Sequence, residues 1–339
     1  MSPRRRGLLA VLLVVTLVAA GCGSDEPAGN AAGGAPTPID FAFEWTCSGD
    51  WALQYIAESK GYWAEENVDV RYVRGQGGSG TLPLVASGER DMAEISGPPV
   101  VLGAAEELPV TVVGVAAAES PVVLFADGAI KKPEDLYGKT VAVQSGEFEG
   151  GVWDAFVKKT GLDVSKIKTV PASGTSNVLF IDKKVDAFIS FYLDPATYSL
   201  TEERQGEETL FFMQEYVPTY GHTIVANNKF LQENPEAVRG FLRGWAKATQ
   251  YATANPDEAL KLLTSNCPEL GDEPAKFTLD AYIDSWNDDG HKTNGYLTFT
   301  PEGFQQTQQV LVEAGLTEAA DLSELTKTEY LPNPPVKPS

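Results

Sequence analysis

Between Trp45 and Trp51 lies a short polar stretch, Thr46-Cys47-Ser48-Gly49-Asp50, next to apolar runs. Ser48 and Asp50 are residue types that cap helices. A helix start leaves backbone N–H groups without intrahelical partners, ready for a polar or anionic ligand group. The two indoles bracket this stretch and offer faces on which a flat ligand can stack. A second stretch of this kind is Ser145-Gly-Glu-Phe-Glu-Gly-Gly151. Its N–H groups suit a carboxylate, sulfonate, phosphate or carbonyl. Its Glu147 and Glu149 disfavour a bare anion and suit a ligand with N–H donors. Gly146 and Phe148 complete that candidate. Ser96 closes one apolar run; Tyr192 and Asp194 follow another and supply a ring and a carboxylate; Tyr220 and His222 stand at a third. The same residue types also serve structure: an indole fills cores, an acid can be solvated, and a lone histidine is more often packed than functional.

Other chemistry has no residues to carry it. No Ser–His–Asp set, zinc spacing or paired-cysteine motif appears, and His222 and His291 are the only histidines. Neither a metal nor a cofactor is expected. The run Arg74-Gly-Gln-Gly-Gly-Ser-Gly80 lacks the Lys-Ser/Thr that follows in a phosphate loop, so its use is close backbone approach to a ligand or a neighbouring strand. The chain of 339 residues carries a formal charge of −21 with 43% hydrophobic residues, enough for two cores. Acidity of this size excludes nucleic acid, because phosphate contacts need clustered Lys and Arg.

The first residues read as a leader. Arg4–Arg6 is basic and Leu8–Ala20 apolar, an apolar run shorter than the ~20 residues of a bilayer span. Val18-Ala19-Ala20-Gly21-Cys22 resembles a bacterial lipoprotein box, in which Cys22 is lipidated and becomes the mature N-terminus. Residues 22–37, rich in Gly, Ala, Pro, Ser and Asn, then form a flexible tether. Two further cysteines, Cys47 and Cys267, meet an oxidising compartment after export; a bridge and two separate buried thiols both fit.

These residues need elements to hold them. Ile39–Trp45 reads as a buried strand, Trp51–Lys60 as a helix stopped by Gly61, and Val68, Val70 and Tyr72 as a second strand. Thr81–Ser87 is a helix and Met92–Ile95 a strand ended by Ser96-Gly97-Pro98-Pro99. A second copy of the plan follows: strand Thr140–Val143, helix Val152–Thr160, strand Ile167–Val170, a small-residue loop at Ala172–Ser176 with a helix, and strand Ala187–Phe191. Such a duplication predicts two α/β lobes with ligand loops at the strand C-termini. Val110–Ala117 and Val122–Ala126 leave the first lobe and Tyr220–Asn227 returns. Phe230–Ala254, entered at Pro235, is a long helix with Val238, Phe241, Leu242 and Trp245 on its apolar face. Helices Asp257–Leu263, Pro274–Trp286 and Pro301–Ala314 follow, and Tyr330–Ser339 is expected to be loose.

A Trp at the end of the first strand, a helix closing on Lys60-Gly-Tyr-Trp63, and Glu65-x-x-Val68-Asp-Val70 resemble the nitrate/sulfonate/taurine and thiamine-pyrimidine family of solute-binding proteins, from about Asp40 to Thr253. The resemblance implies a type II periplasmic-binding-protein-like α/β fold, two-lobed with two crossovers: 1–21 a lipoprotein signal peptide, 38–125 and 223–332 one lobe, 126–222 the other. It also implies a monomeric receptor, lipid-anchored on the outer face of the cytoplasmic membrane, that hands a small-molecule solute to an ABC permease and is not an enzyme. The aromatic residues favour a heterocycle such as a vitamin precursor; a sulfonate, taurine or nitrate-type anion is the alternative. The family's pyrimidine-making enzymes hold pyridoxal phosphate with a Lys and a His; the matching positions here are Ile95 and Pro99, and no amine means no Schiff base. Pyrimidine-binding receptors place a His where Trp51 stands and a Glu near Ala196, so their ligand does not carry over directly.

Overall fold

The computed structural model describes residues 34–143, 148–171, 175–198, 200 and 207–338. Cys22, with the leader and most of the tether, lies outside the described residues. Within Pro36–Ser339, one compact unit, ten described strands form two five-stranded sheets of the same plan. The first sheet holds β1 (Thr37–Phe43), β2 (Val68–Arg74), β3 (Met92–Ser96), β4 (Val110–Val115) and β10 (His222–Asn227), in the order β2-β1-β3-β10-β4. The second holds β5 (Val122–Asp127), β6 (Thr140–Val143), β7 (Lys168–Pro171), β8 (Ala187–Phe191) and β9 (Glu208–Phe212), in the order β7-β6-β8-β5-β9. In each, three parallel strands are followed by one antiparallel strand brought in from the other end of a crossing. The chain passes between sheets twice, after β4 and after β9. The first passage lies at residues 116–121, ahead of the 125/126 border read from sequence, because β5 pairs along its length with β8 and β9.

Helices Ala52–Lys60 and Gly78–Ala86 make the crossovers that parallel neighbours require. Gly61, at φ 73°, ends the first of them in the left-handed conformation that favours glycine. The long helix Pro235–Ala254 packs on the first sheet through the expected face. Val238, Phe241, Leu242 and Trp245 are fully buried, and Phe41 meets Phe241 and Trp245 at 5.0 and 5.4 Å between ring centroids.

Several local expectations are corrected. Pro98 and Pro99 do not stop the chain. They occupy the first turn of helix Gly97–Ala105, where proline's missing N–H costs no hydrogen bond. The run Phe230–Ala254 is two helices, Asn228–Glu233 and Pro235–Ala254, parted at Asn234 because the residue before proline is disfavoured in α conformation. β9 was not foreseen; its Glu208-Thr-Leu-Phe-Phe212 has little polar–apolar alternation. The proline-rich end is docked rather than loose: Tyr296 N donates to Val336 O at 2.8 Å and Gln250 Nε2 to Lys337 O at 2.6 Å. No helix among the described residues is long and apolar enough to cross a membrane.

Candidate ligand-binding site

Glu44 follows β1 and Ser96 ends β3, and antiparallel β10 begins at the same edge with His222. Register pairs His222 with Ser96 and Ile224 with Glu94, so the sheet itself brings residues 94, 96 and 222 together. Glu94 and Ser96 are two apart on β3 and share a face. Glu44 Oε2 accepts hydrogen bonds from Ser96 N at 3.1 Å and Ser96 Oγ at 2.7 Å. His222 Nε2 lies 3.4 Å from the same carboxylate oxygen, and His222 Nδ1 lies 3.9 Å from Glu94 Oε1.

The loop after β1 supplies the next part. Ser48 Oγ donates to Asp50 Oδ1, and Asp50 and Glu94 share a hydrogen bond. Instead of capping a helix with its side chain, Asp50 sits inside a three-residue 3-10 turn, Gly49–Trp51, that leads into Ala52–Lys60. That loop is tied from both sides. Cys47 is disulfide-bonded to Cys267, with the Cα atoms 6.4 Å apart. Gly49 packs on helix Asp272–Trp286 so closely that a Cβ there would lie 2.6 Å from Leu279 Cα. Gly49 N also donates to Thr278 Oγ1, and Thr278 Oγ1 donates to Leu193 O, which follows β8 of the second sheet. One hydroxyl therefore links loops of both sheets. Helix Asp272–Trp286 walls the site with Tyr282. His222 lies between Tyr282 and Phe191, near-parallel to both, at centroid distances of 5.9 and 6.3 Å. Phe191 ends β8, so the carboxyl edges of both sheets meet here, the place where α/β sheets bind ligands.

Burial sets the charges. Glu44, Asp50, Glu94, Ser96 and His222 are each 8% exposed or less. Burial pushes the Asp50 carboxyl up to about 6, against hydrogen bonds from Ser48 and Glu94 that lower it. Glu94 is raised well above the carboxylate range by burial, then by the Asp50 and Glu44 charges. Burial lowers the His222 imidazole to about 4 and raises the Tyr282 phenol. Glu94 Oε2, His222 Nδ1, Trp51 Nε1 and both amide atoms of Gln54, one turn beyond Asp50, are buried without a hydrogen-bond partner. A buried polar group left unpaired costs roughly 1–3 kcal/mol. Glu94 and His222 are neighbours here, so two of these unpaired atoms are candidates for a shared ligand contact.

The sequence candidates separate in space. Asp50, Ser96 and His222 come together. Trp51 is partly buried, stacked on Phe43 at 4.8 Å and edge-on to Tyr72 at 6.2 Å, so its faces are largely taken by the core. Trp45 is 47% exposed, with the Arg74 guanidinium 5.1 Å over its ring. Tyr192 packs between Phe212 and Phe277. Asp194 caps the turn Pro195–Thr197, accepting from Ala196 N at 2.8 Å. Tyr220 is fixed to the C-terminal helix region: its ring packs on Phe304 at 4.7 Å and its hydroxyl donates to Thr300 O. Gly146 and Glu147 lie outside the described residues, as do the side chains of Phe148 and Glu149, which open helix Phe148–Thr160. The Gly-rich loop serves a neighbouring strand: Gly77 N donates to Glu44 O at 2.9 Å.

Glu44, Glu94 and Tyr282 were missed. A signal existed for two of them: Glu94 is the lone charge in an apolar strand, and Glu44 stands between Phe43 and Trp45. Ionised residues are rarely fully buried without a purpose. The residues do not fit pyridoxal phosphate, because Ile95 is fully buried in β3 and offers no amine. Cys47, Cys267 and Glu269 cluster, but the two sulfurs are bonded to each other and leave no thiolates for a metal.

Comparison with known proteins adds four findings. Residues 49–259 match the family described as NMT1/THI5 like. The chain is 25% identical over 263 residues to the formylaminopyrimidine-binding protein of Halalkalibacterium halodurans, covering 76% of this chain and 78% of that one. It is 26% identical to the 4-amino-5-hydroxymethyl-2-methylpyrimidine phosphate synthase of Legionella pneumophila, covering 63% and 69%. Among solved structures, the periplasmic aliphatic sulphonate binding protein SsuA of Escherichia coli superposes with a TM-score of 0.64 at 19% identity, covering 86% of this chain and 92% of that one. At that identity the likeness speaks for the periplasmic-binding-protein fold alone.

Proposed function

The chain belongs to the NMT1/THI5-like family, and from that premise we propose that it is the lipid-anchored, extracytoplasmic receptor of an ABC importer, closing two lobes on a small heterocyclic solute and delivering it to a membrane permease. The observation that carries the ligand class is the buried set Glu44, Asp50, Glu94 and His222 where the two sheet edges meet. Carboxylates and a neutral imidazole nitrogen accept hydrogen bonds, so they suit a ring with N–H or amino donors. They repel a sulfonate or nitrate, which weighs against the alternative despite the shared fold. Phe191 and Tyr282 lie near-parallel to the His222 imidazole and fix its orientation, ring pairing being worth ~0.5–1.5 kcal/mol beyond area burial.

Capture then needs no bond chemistry. The open lobes admit the solute, the first sheet's edge fixes its donor groups, and Phe191 of the second sheet closes over it. Pyrimidine-synthase activity is not part of this reading, since the Lys and His positions hold Ile95 and Pro99. The formylaminopyrimidine-binding relative supports a thiamine-type pyrimidine as a member of the solute class. A thermal-shift screen of aminopyrimidines and related heterocycles against taurine, alkanesulfonates and nitrate tests the proposal, because binding to the native state raises apparent stability. Heterocycles alone should raise the melting temperature. A shift with sulfonates and none with any ring would reverse the assignment.

A further inference from the structure

We infer that Asp50 and Glu94, with His222 beside them, form a subsite for a positively charged group on the solute: an amidinium, a guanidinium or a protonated ring nitrogen. The inference rests on the receptor reading above and narrows it from donor-bearing rings to cations. Asp50 and Glu94 are 5% and 1% exposed and hydrogen-bonded to each other. Two acids joined by a hydrogen bond share one proton and keep one negative charge between them. No Lys or Arg among the described residues forms an ion pair with either.

His222 does not close the pair. Its Nε2 faces the Glu44 carboxylate at 3.4 Å, an acceptor, so the ring proton belongs on Nε2 and the lone pair on Nδ1. That Nδ1, in a residue 5% exposed, has no hydrogen-bond partner and stands 3.9 Å from Glu94 Oε1, beyond hydrogen-bond range. Glu94 Oε2 is likewise buried and unpartnered. The net negative charge of the acid pair, the unpartnered Glu94 oxygen and the His222 lone pair therefore stand together, beside the rings of Phe191 and Tyr282 that flank the imidazole. A planar cation with N–H groups satisfies all of them at once. Glu44 and Tyr282 are the other titratable groups packed against this point.

The test uses two rings of the same shape and different charge, benzamidine and benzamide, with benzenesulfonate as the anion, titrated calorimetrically into the purified protein at pH 7.5. Benzamidine should bind at least about tenfold tighter than benzamide, and benzenesulfonate should not bind. Glu94→Gln and Asp50→Asn should each abolish the tenfold preference. In the unliganded protein Glu94→Gln should raise the melting temperature by roughly 3 °C, since it removes a strained acid pair; a purely structural pair would make the same change destabilising. Equal binding of the two rings, or a preference that survives both substitutions, overturns the cation subsite and leaves the receptor reading standing. Failure of both rings while benzenesulfonate binds overturns the two together.

Discussion

Asp50 and His222 pull the stability of the folded chain in opposite directions as pH changes. The folded-state pKa of Asp50 is raised from 3.8 to about 6. Between those values the folded protein keeps a proton that the unfolded chain has released, so stability falls as pH rises through that window. Glu94 acts in the same sense. His222 is lowered from 6.5 to about 4. There the unfolded chain takes up a proton that the folded protein refuses, so stability falls as pH drops through that window. In the native protein the two slopes offset each other. Asp50→Asn should leave the histidine contribution exposed, with a melting temperature that climbs more steeply from pH 4 to 6.5. His222→Asn should show the reverse tilt. Melting curves at a series of pH values check both, and parallel profiles for the three proteins would refute the assignment. Of the single residues singled out from sequence, Asp50, Ser96 and His222 stand together in the fold, whereas the ring and hydroxyl of Tyr220 are held by Phe304 and Thr300. An aromatic residue next to a strand start looks the same in sequence whether it faces the crevice or a helix.

Among the elements, the loop Thr46–Asp50 is the one on which the site depends most. It carries Asp50 and is held by the bridge from Cys47 to Cys267, 220 residues away in sequence. Closing so long a loop lowers the entropy of the unfolded chain, and removing such a bridge costs typically ~2–5 kcal/mol. The double variant Cys47→Ala/Cys267→Ala should therefore unfold at lower denaturant by that amount and bind solute more weakly, as read by urea titration and calorimetry. Gly49 gives a narrower test. A methyl group at Gly49 meets the backbone of Leu279 and Thr278 at 2.6–2.7 Å, so Gly49→Ala should cost about 1–3 kcal/mol and displace Asp50 from Glu94. An unchanged stability would mean that the turn and helix Asp272–Trp286 separate without loss. The helices flanking these points were legible from apolar periodicity. Their contacts were not, because Thr278 and Tyr282 sit on an ordinary amphipathic pattern that says nothing about which loop they meet.

For the whole molecule, the two passages between sheets are the arrangement on which hinge closure depends. In the proposed closure, Phe191 of the second sheet and His222 of the first would approach or part with the lobes. Small-angle scattering should therefore give a smaller radius of gyration with saturating solute than without; an unchanged radius would argue against closure. The anchoring proposal is tested separately. Mass spectrometry of the native protein should find diacylglycerol on Cys22, and Cys22→Ala should move the protein from the membrane fraction to the soluble one. A mature N-terminus elsewhere, without lipid, would overturn it.

The amino-acid sequence by itself determined most of the elements and their duplication, β9 and the helix Gly97–Ala105 excepted. Strand and helix periods, Gly61, and the repeated loop–helix–turn–strand order are local signals, written within a dozen residues each. It also determined that Ile95, which has no amine, stands where the resemblance places a lysine. Only the tertiary structure decided which polar residues are buried side by side. Glu44, Glu94, His222 and Tyr282 are spread over more than two hundred residues, and antiparallel insertion of β10 between β3 and β4 is what sets His222 against Ser96 and Glu94. Burial followed from that packing, and burial, rather than residue type, raised the Asp50 and Glu94 carboxyls and lowered the His222 imidazole.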